Sequence, residues 1–137
     1  DLLGVEPFTV LVLDWSEDAL RFLELIWDEN DKHIRSLPTD RFHIWSSSTL
    51  YSDSMKAIRK SWFADWIENG DHSQDSIIDF HLNAGCGDSN IDLQIDRGPL
   101  KTVSVTSVDK DQERVSMCYR DLIEGKQYKK NFESISL

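Results

Sequence analysis

The sequence predicts an α+β fold with antiparallel strands at both ends of the chain and two adjacent helices between them. Near both ends, short runs rich in apolar and β-branched residues are bounded by polar turns, a pattern typical of strands. In the middle, apolar residues recur at spacings of three and four, which is typical of a helix. Because the connections between the strand patterns are short, we expect neighbouring strands to pair antiparallel.

Strand patterns fill the first third of the chain. They cover residues 8–15, 20–27 and 32–37, and a shorter one follows at residues 42–45. Residues 28–31, Asp-Glu-Asn-Asp, have the composition of a hairpin turn. We therefore expect three or four antiparallel strands in succession.

The first helix is predicted just after residue 51. Ser52 or Asp53 can cap its start, and Gly70 can supply a left-handed turn at its end. Its apolar stripe consists of Met55, Ile58, Trp62 and Trp66. This wide aromatic stripe is expected to pack on the sheet, and the alternative is a ligand-binding groove.

A second helix is predicted at about residues 73–84, with Ser73 as its cap and Gly85 as its stop. A glycine-rich loop follows. Strand patterns then return at residues 102–108, 114–119 and 126–132, with a polar turn at 109–113. In the first of these, Val103 and Val105 are expected on one face and hydroxyl residues on the other.

Composition narrows the class of protein. The net charge of -10 and the lack of a basic stripe disfavour nucleic acid as a partner. No apolar run is long enough for a membrane span. Only two cysteines occur, Cys86 and Cys118, so a disulfide framework is not expected and a reducing, cytoplasmic location is favoured.

Residues that could bind a metal or act as a nucleophile are scattered. The four histidines lie on four different predicted elements without ligand spacing, so no metal site is expected. His81 is interpreted as a core histidine with a hydrogen-bond partner. Cys86 is either a nucleophile in its Gly-flanked loop or a small loop thiol, because activation of a thiol needs a base or a lowered pKa.

The segment from Trp45 to Tyr51 is the most unusual. Four consecutive hydroxyl residues, Ser46, Ser47, Ser48 and Thr49, lie between a strand pattern and a helix. Hydroxyls and backbone N–H groups at such a junction can bind an anion or an oxyanion. They can equally act as caps and turn formers, and the residue types alone leave both interpretations open.

The order of several short motifs resembles the rear half of NRDE proteins, also called the transport and Golgi organisation 2 family, and is most similar to bacterial members. The most specific part is Trp-Ser-Ser-x-Thr-Leu-Tyr followed by the tryptophan-rich helix. The other matching motifs are Pro7-Phe8-Thr9, Asp14-Trp15, Ile26-Trp27-Asp28, Lys32-His33, Phe80-His81, Gly87-Asp88 and Thr102-Val103-Ser104-Val105-Thr106-Ser107. The resemblance covers nearly the entire chain.

The resemblance implies that residues 1–137 are the C-terminal portion of a single domain with the αββα sandwich of N-terminal nucleophile hydrolases. The abrupt strand pattern soon after Asp1 fits the same expectation. The family's nucleophilic cysteine and its Asn-Arg-Asp-Glu motif are not in this chain, so no catalytic residue is expected here and the missing N-terminal half is the expected partner. The implied activity is cleavage of a linear amide C–N bond in an unknown small molecule.

Site support is what the resemblance leaves to this chain. It implies that the junction residues Ser46, Ser47 and Ser48 lie near the oxyanion, with Thr49 as further site support, although the asparagine common there in relatives is absent. Arg59, Asp88 and Arg97 are expected to contact substrate or a carboxylate, or else to form ordinary salt bridges. No cofactor is expected for a hydrolase. The alternative is a non-enzymatic haem or lipid-related carrier on the same scaffold.

Overall fold

A computed structural model describes residues 2–15, 19–47, 50–111 and 114–133. The chain divides into two compact units, Asp1–His43 and Ile44–Leu137. The described part of the first unit is a three-stranded antiparallel sheet, and that of the second contains two helices followed by another three-stranded antiparallel sheet. The predicted α+β class is therefore confirmed.

The sheet of the first unit is a simple meander. Its strands are β1 (Phe8–Asp14), β2 (Arg21–Trp27) and β3 (Lys32–Ser36), in the order β1-β2-β3. The central strand carries the buried Glu24, which lies opposite Arg35 and forms an ion pair with it. A carboxylate in that position is costly to bury without a cation, so the pair also specifies the register of β2 and β3.

The predicted hairpin turn forms around Asp28. Its Oδ1 accepts the backbone N–H groups of Asp31 at 2.8 Å and Asn30 at 3.0 Å, and its Oδ2 lies 2.7 Å from Nε2 of His33. The bond from Asp31, followed by those from His33 and Asn30, stabilises the carboxylate and lowers the pKa of Asp28 to about 2. Glu29 adopts φ +79°, which completes the tight turn.

The fourth predicted strand, at residues 42–45, is wrong, because no strand forms there. His43 instead makes local contacts. Its Nε2 lies 2.8 Å from the carbonyl oxygen of Pro38, and its ring meets the edge of Phe22 at 5.3 Å between centroids. These contacts hold His43 beside the meander without a ladder of backbone hydrogen bonds.

The two predicted helices of the second unit are α1 (Asp53–Asn69) and α2 (Gln74–Asn83). Ser52 and Ser73 cap them, each accepting a backbone N–H from the third residue along. Gly70 ends α1 as predicted, but its φ of -81° shows that the expected left-handed turn was wrong. In the part of the chain that is described, neither helix is long and apolar enough to cross a membrane.

Aromatic rings join the two helices. Phe63 and Trp66 of α1 each pack on Phe80 of α2, with centroids 5.6 and 5.8 Å apart, and Trp66 Nε1 donates a 2.8 Å hydrogen bond to Ser76 Oγ. The apolar stripe predicted for α1 was wrong at Ile58, because that side chain is 38% exposed. Its neighbour Arg59 lies one turn before Phe63 and is buried instead.

The sheet of the second unit has the order β4-β5-β6, formed by β4 (Ser104–Asp111), β5 (Arg114–Asp121) and β6 (Gln127–Glu133). The turn predicted at residues 109–113 was placed too early, because β4 stays paired with β5 as far as Asp111. Val103 was expected on the buried face but precedes the strand and is exposed.

We expect the packed rings of Phe63, Trp66 and Phe80 to be the main source of stability in the second unit. Phe63 is 7% exposed, so Phe63→Ala should lower the free energy of unfolding by about 3 kcal/mol through lost burial and a cavity. The matched control on the same helix is Ile58→Ala, which should cost about 1 kcal/mol or less because that side chain is already partly in water. Urea unfolding followed by tryptophan fluorescence measures both. Equal losses would contradict this description of the core.

Candidate functional site

The loop after α2 is tied down at both of its ends. A Cβ on Gly85 would lie 2.3 Å from Cγ of Asp92, so only glycine allows the approach of that side chain. At this position Oδ1 of Asp92 accepts the backbone N–H of Cys86 at 2.7 Å. Further along, the Thr102 N–H donates to the carbonyl oxygen of Ile95, and the Ile95 N–H donates to the Thr102 hydroxyl. These hydrogen bonds therefore give the loop a defined conformation.

Arg59 reaches from α1 into this loop. Its Nε donates to the carbonyl oxygen of Ile91 at 3.0 Å, and its Nη2 donates to that of Asp92 at 2.6 Å. The guanidinium carbon lies 3.6 Å from the centroid of the Tyr51 ring, a close cation–π contact. Although Arg59 is a charged residue, it is only 5% exposed.

Arg97 approaches the same tyrosine from the other end of the loop. Its guanidinium carbon is 5.4 Å from the centroid of the Tyr51 ring. Nη1 donates to the carbonyl oxygen of Leu50 at 3.2 Å, while Nε and Nη2 both donate to that of Asn90. Arg97 thus joins the loop to the segment that precedes α1. We call Tyr51, Arg59 and Arg97 the arginine–tyrosine cluster.

Asp88 supports the cluster from within the loop. Its Oδ1 accepts the backbone N–H of Asn90 at 2.9 Å and the Nδ2 group of the same residue at 2.8 Å. The backbone bond is the largest cause of a lowered pKa for Asp88, followed by the side-chain bond, with a smaller effect from the charge of Arg97. Asp88 therefore stays ionised and holds Asn90, whose carbonyl oxygen binds Arg97.

The structure brings together three of the predicted support residues, Arg59, Asp88 and Arg97. Among the described residues, however, neither arginine forms the salt bridge considered from the sequence, and both bind carbonyl oxygens instead. Ser46 is half-buried and Ser47 is exposed. Ser48 and Thr49 lie outside the described residues.

Sequence reasoning missed Tyr51 as a site residue. It appeared only as the last letter of the hydroxyl junction, although its ring is the surface on which both arginines meet. One feature of the sequence could have indicated this role of Tyr51. It is an aromatic residue directly before the cap of a helix that carries an arginine on its buried side. The partners of the arginines are main-chain carbonyls, which a sequence does not mark.

Cys86 and His81 do not form a catalytic pair. Cys86 is exposed, and its Sγ makes no hydrogen bond with any residue that the structure describes. His81 was expected in the core, which is wrong, because it lies on the exposed side of α2 beside Phe80, where partial desolvation lowers its pKa. Within the described ranges, no group of three or more His, Cys, Asp or Glu residues is placed to hold a metal ion.

Comparison with models of protein families, with curated proteins and with solved structures found no match to this chain. The resemblance to NRDE proteins therefore stays a prediction from the residues. What the site itself offers is two guanidinium groups on one aromatic ring, held in place by main-chain carbonyls.

Gly85→Ala tests whether close approach of Asp92 orders the loop. We expect a loss of about 1–3 kcal/mol in the free energy of unfolding, because the new Cβ displaces Asp92 and its bond to the Cys86 N–H. Asp92→Ala removes that bond without a collision and should cost less. In the double variant the collision is relieved, so the two losses should not add. Chemical denaturation measures all three, and strictly additive losses would contradict the contact.

Proposed function

We propose that this chain is the rear portion of an NRDE-family protein, and that the complete protein is a cytoplasmic N-terminal nucleophile hydrolase of a linear amide. In this proposal the two antiparallel sheets and their helices belong to an αββα sandwich. The α+β class, with two three-stranded antiparallel sheets, is compatible with such an arrangement. The nucleophile would come from the segment outside this chain.

The chemistry of the proposal follows from an N-terminal cysteine. Its α-amine, with a pKa near about 8, can take the thiol proton, and the thiolate then adds to the amide carbonyl carbon. The C–N bond breaks as the leaving amine receives that proton, and water hydrolyses the thioester. This chain would contribute the wall that binds the substrate and faces the developing oxyanion.

The observation that carries the proposal is that the hydroxyl junction has a fixed end. The Leu50 carbonyl oxygen accepts Nη1 of Arg97, the Tyr51 ring lies under Arg59, and the Ser52 hydroxyl caps α1. An oxyanion-binding segment must be rigid before the reaction, because donors that reorganise during catalysis lose their advantage. The residues that directly follow the hydroxyl junction, Leu50 to Ser52, meet that requirement.

A carrier that is not an enzyme is the second candidate, favoured by one face of the β4–β5–β6 sheet. By strand register, Val108, Met117, Tyr128 and Phe132 share this face, and all four are exposed. The same face also carries Lys130, whose ammonium lies over the Phe132 ring. A largely apolar, aromatic surface with one cation is suited to a haem or lipid ligand that bears an anionic group. This exposed surface lies on the β4–β5–β6 sheet, whereas the hydrolase proposal uses the hydroxyl junction. The two candidate functions therefore use different parts of the chain.

The first experiment examines the N-terminal residue of the full-length gene product. Intact mass and N-terminal peptide mapping should show a free cysteine after loss of the initiator methionine. A p-nitrophenyl acyl ester should acylate that cysteine, and its Cys→Ser variant should lose rapid acylation. Cys86→Ser is the matched control and should acylate as fast as wild type, because no base among the described residues is hydrogen-bonded to the exposed Cys86 thiol.

A blocked or absent N-terminal cysteine would overturn the hydrolase proposal. In that case a haem titration of the same protein decides on the carrier. A Soret shift that saturates at a fixed stoichiometry would support it, and an unchanged Soret band would count against haem as the ligand.

A further inference from the structure

Arg59 is a buried cation without a described counter-charge. It is 5% exposed, and its described partners are two carbonyl oxygens and an aromatic ring, all uncharged. No described carboxylate lies within ion-pair distance of it. Since burying a charge is costly unless it is paired, this environment is suited to an anion that arrives from outside.

The orientation of the guanidinium shows which of its edges is available. Its side edge, formed by Nε–H and one Nη2–H, is filled by the carbonyl oxygens of Ile91 and Asp92. Its end edge, formed by Nη1 and the second Nη2–H, has no acceptor among the described residues. Nη1 is also not one of the described nitrogen or oxygen atoms that are sealed from water without a partner. Nη1 of the end edge therefore keeps some contact with water.

A second guanidinium shares the Tyr51 ring with Arg59, in a chain whose net charge is -10. Arg97 lies on the same ring and is likewise bound to carbonyl oxygens. The carboxylates of the same loop keep their negative charge but bind other groups, because Asp88 binds Asn90 and Asp92 binds the N–H of Cys86. Among the described residues, the end edge of Arg59 therefore has no carboxylate partner.

We propose that the arginine–tyrosine cluster is a binding site for a carboxylate group, with the end edge of Arg59 as the primary contact and Arg97 as electrostatic support. A planar fork of two N–H donors matches the two oxygens of a carboxylate. One buried charge also matches a singly charged group better than a phosphate dianion. This inference does not depend on the hydrolase proposal, since the site would bind a carboxylate in either kind of protein.

The test is a titration of the ¹⁵N-labelled chain with sodium acetate at constant ionic strength, followed through the Nε–H resonances of its arginines. Acetate should shift the Arg59 signal in a saturable way. Arg59→Lys should weaken binding about tenfold or more, because a single ammonium cannot reproduce the fork. Arg97→Lys should weaken it less, since its point charge remains.

Arg41→Lys is the matched control, because Arg41 is exposed and bonds only Asp40 among the described residues. It should leave acetate affinity unchanged. Amide spectra report whether each variant is folded. If Arg59→Lys does not fold, the wild-type Arg59 shift and the Arg97→Lys titration decide the matter. Absence of a saturable Arg59 shift, equal binding of chloride, or stronger binding of inorganic phosphate would overturn the carboxylate site.

Discussion

One buried cation determines how the second unit is organised around its helices. Arg59 projects from the inward side of α1, lies against the Tyr51 ring and donates to the carbonyl oxygens of Ile91 and Asp92. These carbonyls belong to a loop that has no ladder of its own at that point, and buried main-chain acceptors need a donor. The long side chain of Arg59 supplies these donors from α1. The segment before α1 and the loop after α2 are consequently fixed to the same group.

The carboxylate site that we propose would link stability to binding. The side edge of the Arg59 guanidinium binds carbonyl oxygens of the loop, whereas the end edge has no described acceptor. Arg97 also binds main-chain carbonyls, with Nη1 on Leu50 and Nη2 on Asn90. Both arginines therefore keep their positive charge without a described ion pair, in contrast to Arg35, whose charge is matched by the buried Glu24 in the other unit.

Sequence reasoning succeeded where local rules decide the structure and failed where distant contacts do. Caps at Ser52 and Ser73 follow from short-range hydrogen bonds, so both helices were located correctly. The strand predicted at residues 42–45 has suitable residue types, but strand formation requires a partner, and His43 bonds Pro38 instead. Arg59 and Arg97 were named from the resemblance, whereas their carbonyl partners and the role of Tyr51 depend on tertiary placement that residue spacing does not encode.

The central claim, that Arg59 holds the loop, is tested most directly by amide hydrogen exchange. Arg59→Leu keeps apolar volume in the core but leaves two carbonyls without their donor. The N–H groups of Leu93 and Asp96, which donate to Ala84 and Ser89, should then exchange at least about tenfold faster than in wild type, because local opening of the loop becomes easier. The amides of β5 serve as the internal reference and should keep their rates. Wild-type exchange at Leu93 and Asp96 in the variant would contradict the claim.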